Sequence, residues 1–312
     1  MNRKGFLYNA APWLHLLFLV GLTLFCMVLF SAFSMALVPL LFGIPFMEML
    51  ESMGDLSAGG NPSVLKFLQA CQSVGMFVVP PLIYFWVAGL WGSNHLTQTK
   101  RNLGVFVLIA LGLGFVSTPV IELSWQLNQF LELPPFLDGL EAWMRTQEEV
   151  MKDLTNVFLK ADGWGGFFVN MLVIAVIPAI GEELMFRGAL QKILTNWTRN
   201  AHWAIFLTAF AFAFIHFQFF GFLPRFMLGM LFGYLFFWSG NIWVPIAAHF
   251  LNNGMIVLLH FLFQQKITNF DPTQEQEITV LQYAISAVLT VVLLGGFYAL
   301  SRRNAEQKLD GQ

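Results

Sequence analysis

The sequence predicts an all-α, polytopic membrane bundle of about eight transmembrane helices, with one extra amphipathic helix in the loop after the third span. Composition is the first reason. Of 312 residues, 57% are apolar and only 11% charged, whereas a soluble domain needs roughly a quarter charged to cover its surface. Mean hydropathy, at +0.67, is the second. Third, the apolar residues collect into runs of about 20, the length that crosses a bilayer as helix. The chain also holds 35 Phe and 10 Trp, rings that pack in the bilayer or sit at its interface.

The eight segments cover residues 13–41, 67–91, 103–125, 164–180 with a helical extension, 201–220, 224–239, 242–263 and 278–300. Arg3 and Lys4 ahead of the first resemble the start of a signal peptide. The apolar run behind them is about twice the usual length of a signal core and lacks a small-residue cleavage site, so it reads as a retained span. Pro80 and Pro81 interrupt the second segment and predict a kink there. No internal repeat or low-complexity segment divides the chain, which reads as a single transmembrane domain over 1–312.

Topology follows from where lysine and arginine fall. Arg3 and Lys4, then Lys100 and Arg101, then Arg302, Arg303 and Lys308 are separated by even numbers of spans. That places all three groups, and both termini, in the cytosol. Glu48, Glu51 and Asp55, and later Asp271, Glu275 and Glu277, fall on the opposite side. The long loop 126–163 has seven acidic and three basic residues. Within it Leu137, Leu140, Met144, Met151, Leu154 and Phe158 recur at spacings of three, four and seven, the stripe of an amphipathic helix. Asp138 and Glu141 supply a capping start. Such a helix lies on the outer membrane surface or caps the bundle.

Several function classes drop out. A net charge of −2 gives no electrostatic case for nucleic acid. Cys26 and Cys71 lie in apolar runs, which argues against a disulfide framework or a thiolate metal site.

Charges inside a bilayer cost several kcal/mol, about 2.5–3.5 on insertion scales, and are rare without a task. The informative group opens at Gly181-Glu182-Glu183-Leu184-Met185-Phe186-Arg187, at the end of an unbroken apolar run. On a helix, Glu183 and Arg187 stand at i and i+4 with the acid first, the favourable order for an ion pair. Glu182 points about 100° away from Glu183. A carboxyl group in apolar surroundings is suited to exchange protons near neutral pH. Phe212-Ala-Phe-Ile-His216 follows on the fifth span and His249-Phe-Leu-Asn-Asn253 on the seventh. In each, the outer residues share one helical face. The turn between spans four and five falls near Arg199 and Asn200, so Glu182 and His216 are 17 residues either side of Arg199. Counting along both helices, and from Ile242 to His249, lets the three groups meet in the cytosolic half of the bilayer.

The remaining polar and small residues have plainer roles. Gly221, Gly229 and Gly233 read as packing positions. Arg225 reads as a partner for a buried acid or a snorkelling cation. Glu122 is interfacial, and His15, His95, His202 and His260 sit at span edges or without polar company.

With these residues placed, the chain resembles the CPBP family of intramembrane proteases, which includes the eukaryotic type II CAAX prenyl endopeptidase and bacterial Abi proteins. The resemblance rests on Glu182-Glu183-x-x-x-Arg187, Phe212-x-x-x-His216 and His249-x-x-x-Asn253, in that order on successive spans. It covers about residues 165–260, with Asn241-Ile242-Trp243 and Pro245 adding to it. It implies that Glu182 and His216 activate a water, with Glu182 as general base, and that His249 and Asn253 donate to the oxyanion. Arg187 would hold Glu183, and Phe212 would pack beside the site. The preferred mechanism uses no cofactor and no metal. Zinc on Glu182, His216 and His249 is the alternative the resemblance leaves open. The implied setting is a bacterial plasma membrane. The implied partners are membrane lipid and a membrane-associated protein or peptide substrate, with or without a lipid modification.

Other membrane-protease chemistries lack their motifs. The sequence has no Gly-x-Ser-Gly and no His-Glu-x-x-His, and its six aspartates (Asp55, Asp138, Asp153, Asp162, Asp271 and Asp310) fall between spans or in tails. Two competing readings stand beside the protease. One is a proton-coupled transporter using the same Glu and His residues as a relay, although no matched halves are visible. The other is a non-catalytic immunity or scaffold protein of the same fold.

Overall fold

The computed structural model describes residues 5–54, 61–99, 101–272, 274 and 277–309. Arg3, Lys4, Asp55, Lys100, Glu275 and Asp310 lie outside them. The elements are helices: α1 (Pro12–Phe42), α2 (Phe46–Gly54), α3 (Pro62–Val87), α4 (Leu103–Val116) and α5 (Thr118–Gln129). They continue with α6 (Asp138–Leu159), α7 (Gly163–Thr198), α8 (Ala201–Phe214), α9 (Phe222–Ser239), α10 (Trp243–Gln264) and α11 (Val280–Leu309). The protein is an all-α, helical polytopic membrane protein.

Among the described residues, six helices are long and apolar enough to cross a membrane. The pair α4 and α5, bent by 44°, makes a seventh if it is one span. Pro119 in the first turn of α5 accounts for the break, because it has no N–H to give the preceding turn. Of the eight expected segments, the fifth is shorter as a helix than the sequence suggested. Residues 201–220 fold as α8, with 14 residues, about 21 Å long, against a hydrocarbon core of about 30 Å. Just beyond the end of α8, Phe217 is left-handed (φ 51°) and changes the direction of the chain.

Prolines shape the long helices in a consistent way. α3 runs through Pro80 and Pro81, preceded by a wide π-wound turn at Val74–Val78. In α7 the π-wound turn Met171–Val176 precedes Pro178 in the same manner. A second wide turn in α7, Leu184–Leu190, contains Arg187. Widening re-routes the carbonyls that a proline cannot serve, which matters where no water can replace the lost bond.

The chain forms two compact units, each gathered from three stretches. The first comprises residues 1–92, 150–193 and 253–273. One of its apolar clusters is Val38, Met49 and Val64. Trp164 and Phe167, at the start of α7, pack on Phe261 of α10 with ring centroids 4.9 and 4.8 Å apart. The apolar surface of α1, including Leu17, Phe25 and Val28, is exposed, as expected of a helix against lipid.

The second unit comprises 93–149, 194–252 and 274–312. Phe106, Leu113, Phe232, Leu235, Val244 and Phe297 form its core. Buried Asn241 starts α10: its Oδ1 accepts from Trp243 N at 3.1 Å while its Nδ2 donates to the Thr99 carbonyl at 2.8 Å. The expected amphipathic helix is α6. Its Glu141 accepts from Leu133 N at 2.9 Å and from Arg145 at 2.7 Å, so the acid holds the entering loop. The Leu133 bond, aided by Arg145, keeps the Glu141 carboxyl below its ordinary range.

α8 and α9 approach closely at Gly229, where an added Cβ would lie 3.0 Å from the Cα of Ala209. Backbone cannot yield as a side-chain tip does. Gly229→Val is expected to lower the unfolding temperature in detergent, through overpacking of about 1–3 kcal/mol. Gly104→Ala, where nothing lies within 4 Å, should not lower it.

Candidate functional site

In the first unit, α7 presents the acid pair. Glu183 and Arg187 are fully buried and joined by a hydrogen bond of 3.0 Å from Nη1 to Oε1. The i, i+4 pairing expected from sequence is present and persists where the helix winds wide. The Arg187 guanidinium also lies over the Phe186 ring, 5.9 Å from its centroid, and Phe186 leans on Phe77 of α3. Glu182 is 8% exposed. Its neighbour Gly181 is needed for packing, because a Cβ there would come within 2.9 Å of Val78 and 3.1 Å of Phe77. α7 therefore lies tight against α3 at the level of the acids.

Asn253 belongs to the same unit, and its Nδ2 donates to the Ile174 carbonyl at 3.1 Å. Ile174 is four residues before Pro178, so its carbonyl has no N–H to receive in ordinary α-helix. The asparagine amide supplies one. Sequence reasoning gave Asn253 only a catalytic role; the proline four residues beyond Ile174 was the signal for this second one.

In the second unit, Phe212 stands between the two histidines. Its ring meets His216 edge-on at 5.1 Å and His249 edge-on at 6.0 Å. His249, 3% exposed, also stacks on Phe232 at 5.1 Å with 19° between planes. His216 departs from expectation. It lies in the turn just after α8, not within a span. Its Nδ1 lies 2.7 Å from the Phe212 carbonyl. A carbonyl only accepts, so Nδ1 carries the hydrogen and Nε2 presents a lone pair. That tautomer suits a proton acceptor.

The segment after His216 is held by Arg225 and by two residues that the sequence did not single out, Asn128 and Glu148. Asn128 of α5 donates to the Phe219 carbonyl at 3.0 Å and accepts from Leu223 N at 2.6 Å. Glu148 of α6 accepts from Phe220 N at 3.2 Å and from Gln218 at 3.3 Å. Arg225 bonds the Gly221 carbonyl at 2.9 Å and the Gln218 side chain. Arg225 thus also holds the loop, a role its place in the sequence did not announce. The Asn128 and Glu148 contacts join residues 70 to 95 positions apart, which no local pattern announces.

Glu182, His216 and His249 are of the types that ligate zinc. Within either unit, the described residues gather no three His, Cys, Asp or Glu side chains at metal-holding range.

The fold and these residues define a helical polytopic membrane protein with buried ionisable groups on its long helices. Residues 164–255 match the family described as type II CAAX prenyl endopeptidase Rce1-like. The sequence is also similar to the Bacillus subtilis (strain 168) protein described as "Uncharacterized protein YpbD". The two are 29% identical over 86 residues, 26% of this chain and 41% of that protein. The chain thus spans less than half the length of that curated relative. No solved structure matches.

Breaking the buried ion pair tests its structural role. Arg187→Ala should cost about 3–5 kcal/mol of stability by stranding a buried carboxylate. The double variant Glu183→Leu, Arg187→Met should recover most of that loss. Thermal unfolding in detergent reads both.

Proposed function

We propose that this protein is an intramembrane endopeptidase that hydrolyses a peptide bond in a membrane-associated protein or peptide. The observation that carries the reading is the family match over 164–255, which includes Glu182, Glu183, Arg187, Phe212, His216, His249 and Asn253. In this reading Glu182 takes a proton from water as general base, and His216, with Nε2 as acceptor, shares that work. The attacking oxygen adds to the scissile carbonyl. His249 and Asn253 donate hydrogen bonds to the oxyanion, Asn253 through an N–H other than the one it gives Ile174. The proton held by Glu182 then passes to the leaving amine. The Glu183–Arg187 pair fixes the helix beneath this chemistry, and Phe212 fixes the two imidazole planes.

The catalytic core is residues 165–260 of one functional domain, embedded in a plasma membrane with both termini cytosolic. In the proposed topology the short α8 counts as the eighth membrane segment. The burial of Glu182 and the tautomer of His216 support proton transfer as the task, and the mechanism needs no metal.

Cleavage of a membrane-associated peptide by the purified protein, with and without a lipid modification on the peptide, tests the reading. Glu182→Gln and His216→Ala should each lower turnover at least about 10²-fold while the protein still folds and inserts. A chelator should leave the rate unchanged. Activity lost to the chelator and restored by zinc would assign Glu182, His216 and His249 as ligands instead. Proton-coupled flux without proteolysis, lost in Glu182→Gln, would replace the protease by a transporter.

A further inference from the structure

The first unit contains a cavity of about 1150 Å³. Its lining includes Phe42 at the end of α1, Pro62 at the start of α3, Asp162 just before α7 and Gln264 at the end of α10. Four helices read as spans end together there. Spanning helices end at the boundary between hydrocarbon and water, so the cavity lies at that boundary.

The lining is divided chemically. Phe67, Val169 and Val173 give it an apolar wall. Lys66, one turn into α3, is only 7% exposed. Its Nζ donates to the Lys160 carbonyl, which uses one of three ammonium donors. Among the described residues it has no other hydrogen-bond partner. An ammonium so deeply placed calls for counter-charge, part of which Asp162 supplies. The start of α3, where Asn61 Oδ1 accepts from Ser63 N at 3.0 Å, turns the partial positive end of a helix toward the lining. Lys160 and Asp162 also line the cavity. Two lysines against one aspartate leave a single positive charge to be matched.

We propose that this cavity binds the headgroup of an anionic phospholipid. The phosphodiester accepts hydrogen bonds from Lys66 Nζ, and an acyl chain lies along Phe67, Val169 and Val173. A phosphodiester carries one negative charge, which fits the charge of the lining better than a dianion does. The apolar wall distinguishes an amphiphile from a free ion. The position at the ends of four spans brings lipid headgroups to the mouth. The site contains none of the residues given to catalysis, so its test is independent of the proposed protease activity.

The experiment is calorimetric titration of the full-length protein in a neutral detergent with short-chain phosphatidylglycerol. Short-chain diacylglycerol and inorganic phosphate are the parallel ligands. Saturable binding of phosphatidylglycerol is expected, with diacylglycerol and inorganic phosphate each binding at least roughly tenfold more weakly. Lys66→Met should weaken phosphatidylglycerol by roughly tenfold or more. Val169→Trp, at an exposed position that tolerates a larger ring, should weaken it comparably by filling the apolar wall. Unfolding temperatures confirm that both variants fold. Equal affinity for inorganic phosphate and phosphatidylglycerol would overturn the lipid assignment. Wild-type affinity in both variants, or phosphatidylglycerol binding no better than diacylglycerol, would overturn the site.

Discussion

Placing an arginine and a glutamate wholly out of water costs several kcal/mol per ion, and attraction between them offsets this only with close geometry and further contacts. The pair Glu183 and Arg187 supplies that geometry within one turn of α7, at 3.0 Å and with both side chains fully buried. Its neighbours are chosen to suit. Gly181 lets α7 close on Phe77 and Val78 of α3, and Phe186 offers its ring to the guanidinium. The same turn carries Glu182, so whatever holds the pair also fixes the acid next to it.

Backbone polar groups obey the same requirement as the charges, because a membrane offers no water to complete a broken helix. Pro178 leaves the Ile174 carbonyl without its usual N–H, and Asn253 provides one. The end of α8 exposes the Phe212 carbonyl, and His216 Nδ1 meets it. The irregular stretch 217–221 is served by Asn128, Gln129, Glu148 and Arg225. Side chains that chemistry would employ are thus also those that close gaps in the helical hydrogen bonding. Loss of Asn253 or His216 would therefore remove a backbone partner in addition to the proposed chemical role.

The parts of this arrangement legible in the sequence are those with local periodicity. Eight apolar runs all fold as helix, because burial or lipid demands satisfied backbone. The stripe from Leu140 to Phe158 gives α6, and the four-residue spacing gives the Glu183–Arg187 pair. Less legible was anything decided by distant partners. The apolar run 201–220 looks long enough to span, yet its helix ends at Phe214, with the left-handed turn at Phe217 and the grip of α5 and α6 on Phe219 and Phe220 beyond it. His216 consequently lies in the turn beyond the helix, though still against Phe212 as the spacing had placed it. Wide turns are equally hidden at Leu184–Leu190, where no proline marks them. At Met171–Val176 the following Pro178 was a visible sign.

The central claim is a division of labour between adjacent carboxylates: Glu183 holds the helix and Glu182 does the chemistry. Thermal unfolding of Glu182→Gln and Glu183→Gln, prepared side by side in the same detergent, tests it most directly. The account predicts an unfolding temperature close to wild type for Glu182→Gln and a clear drop for Glu183→Gln, whose arginine is left without its carboxylate. The reverse order, with Glu182→Gln unfolding early and Glu183→Gln unchanged, would contradict it.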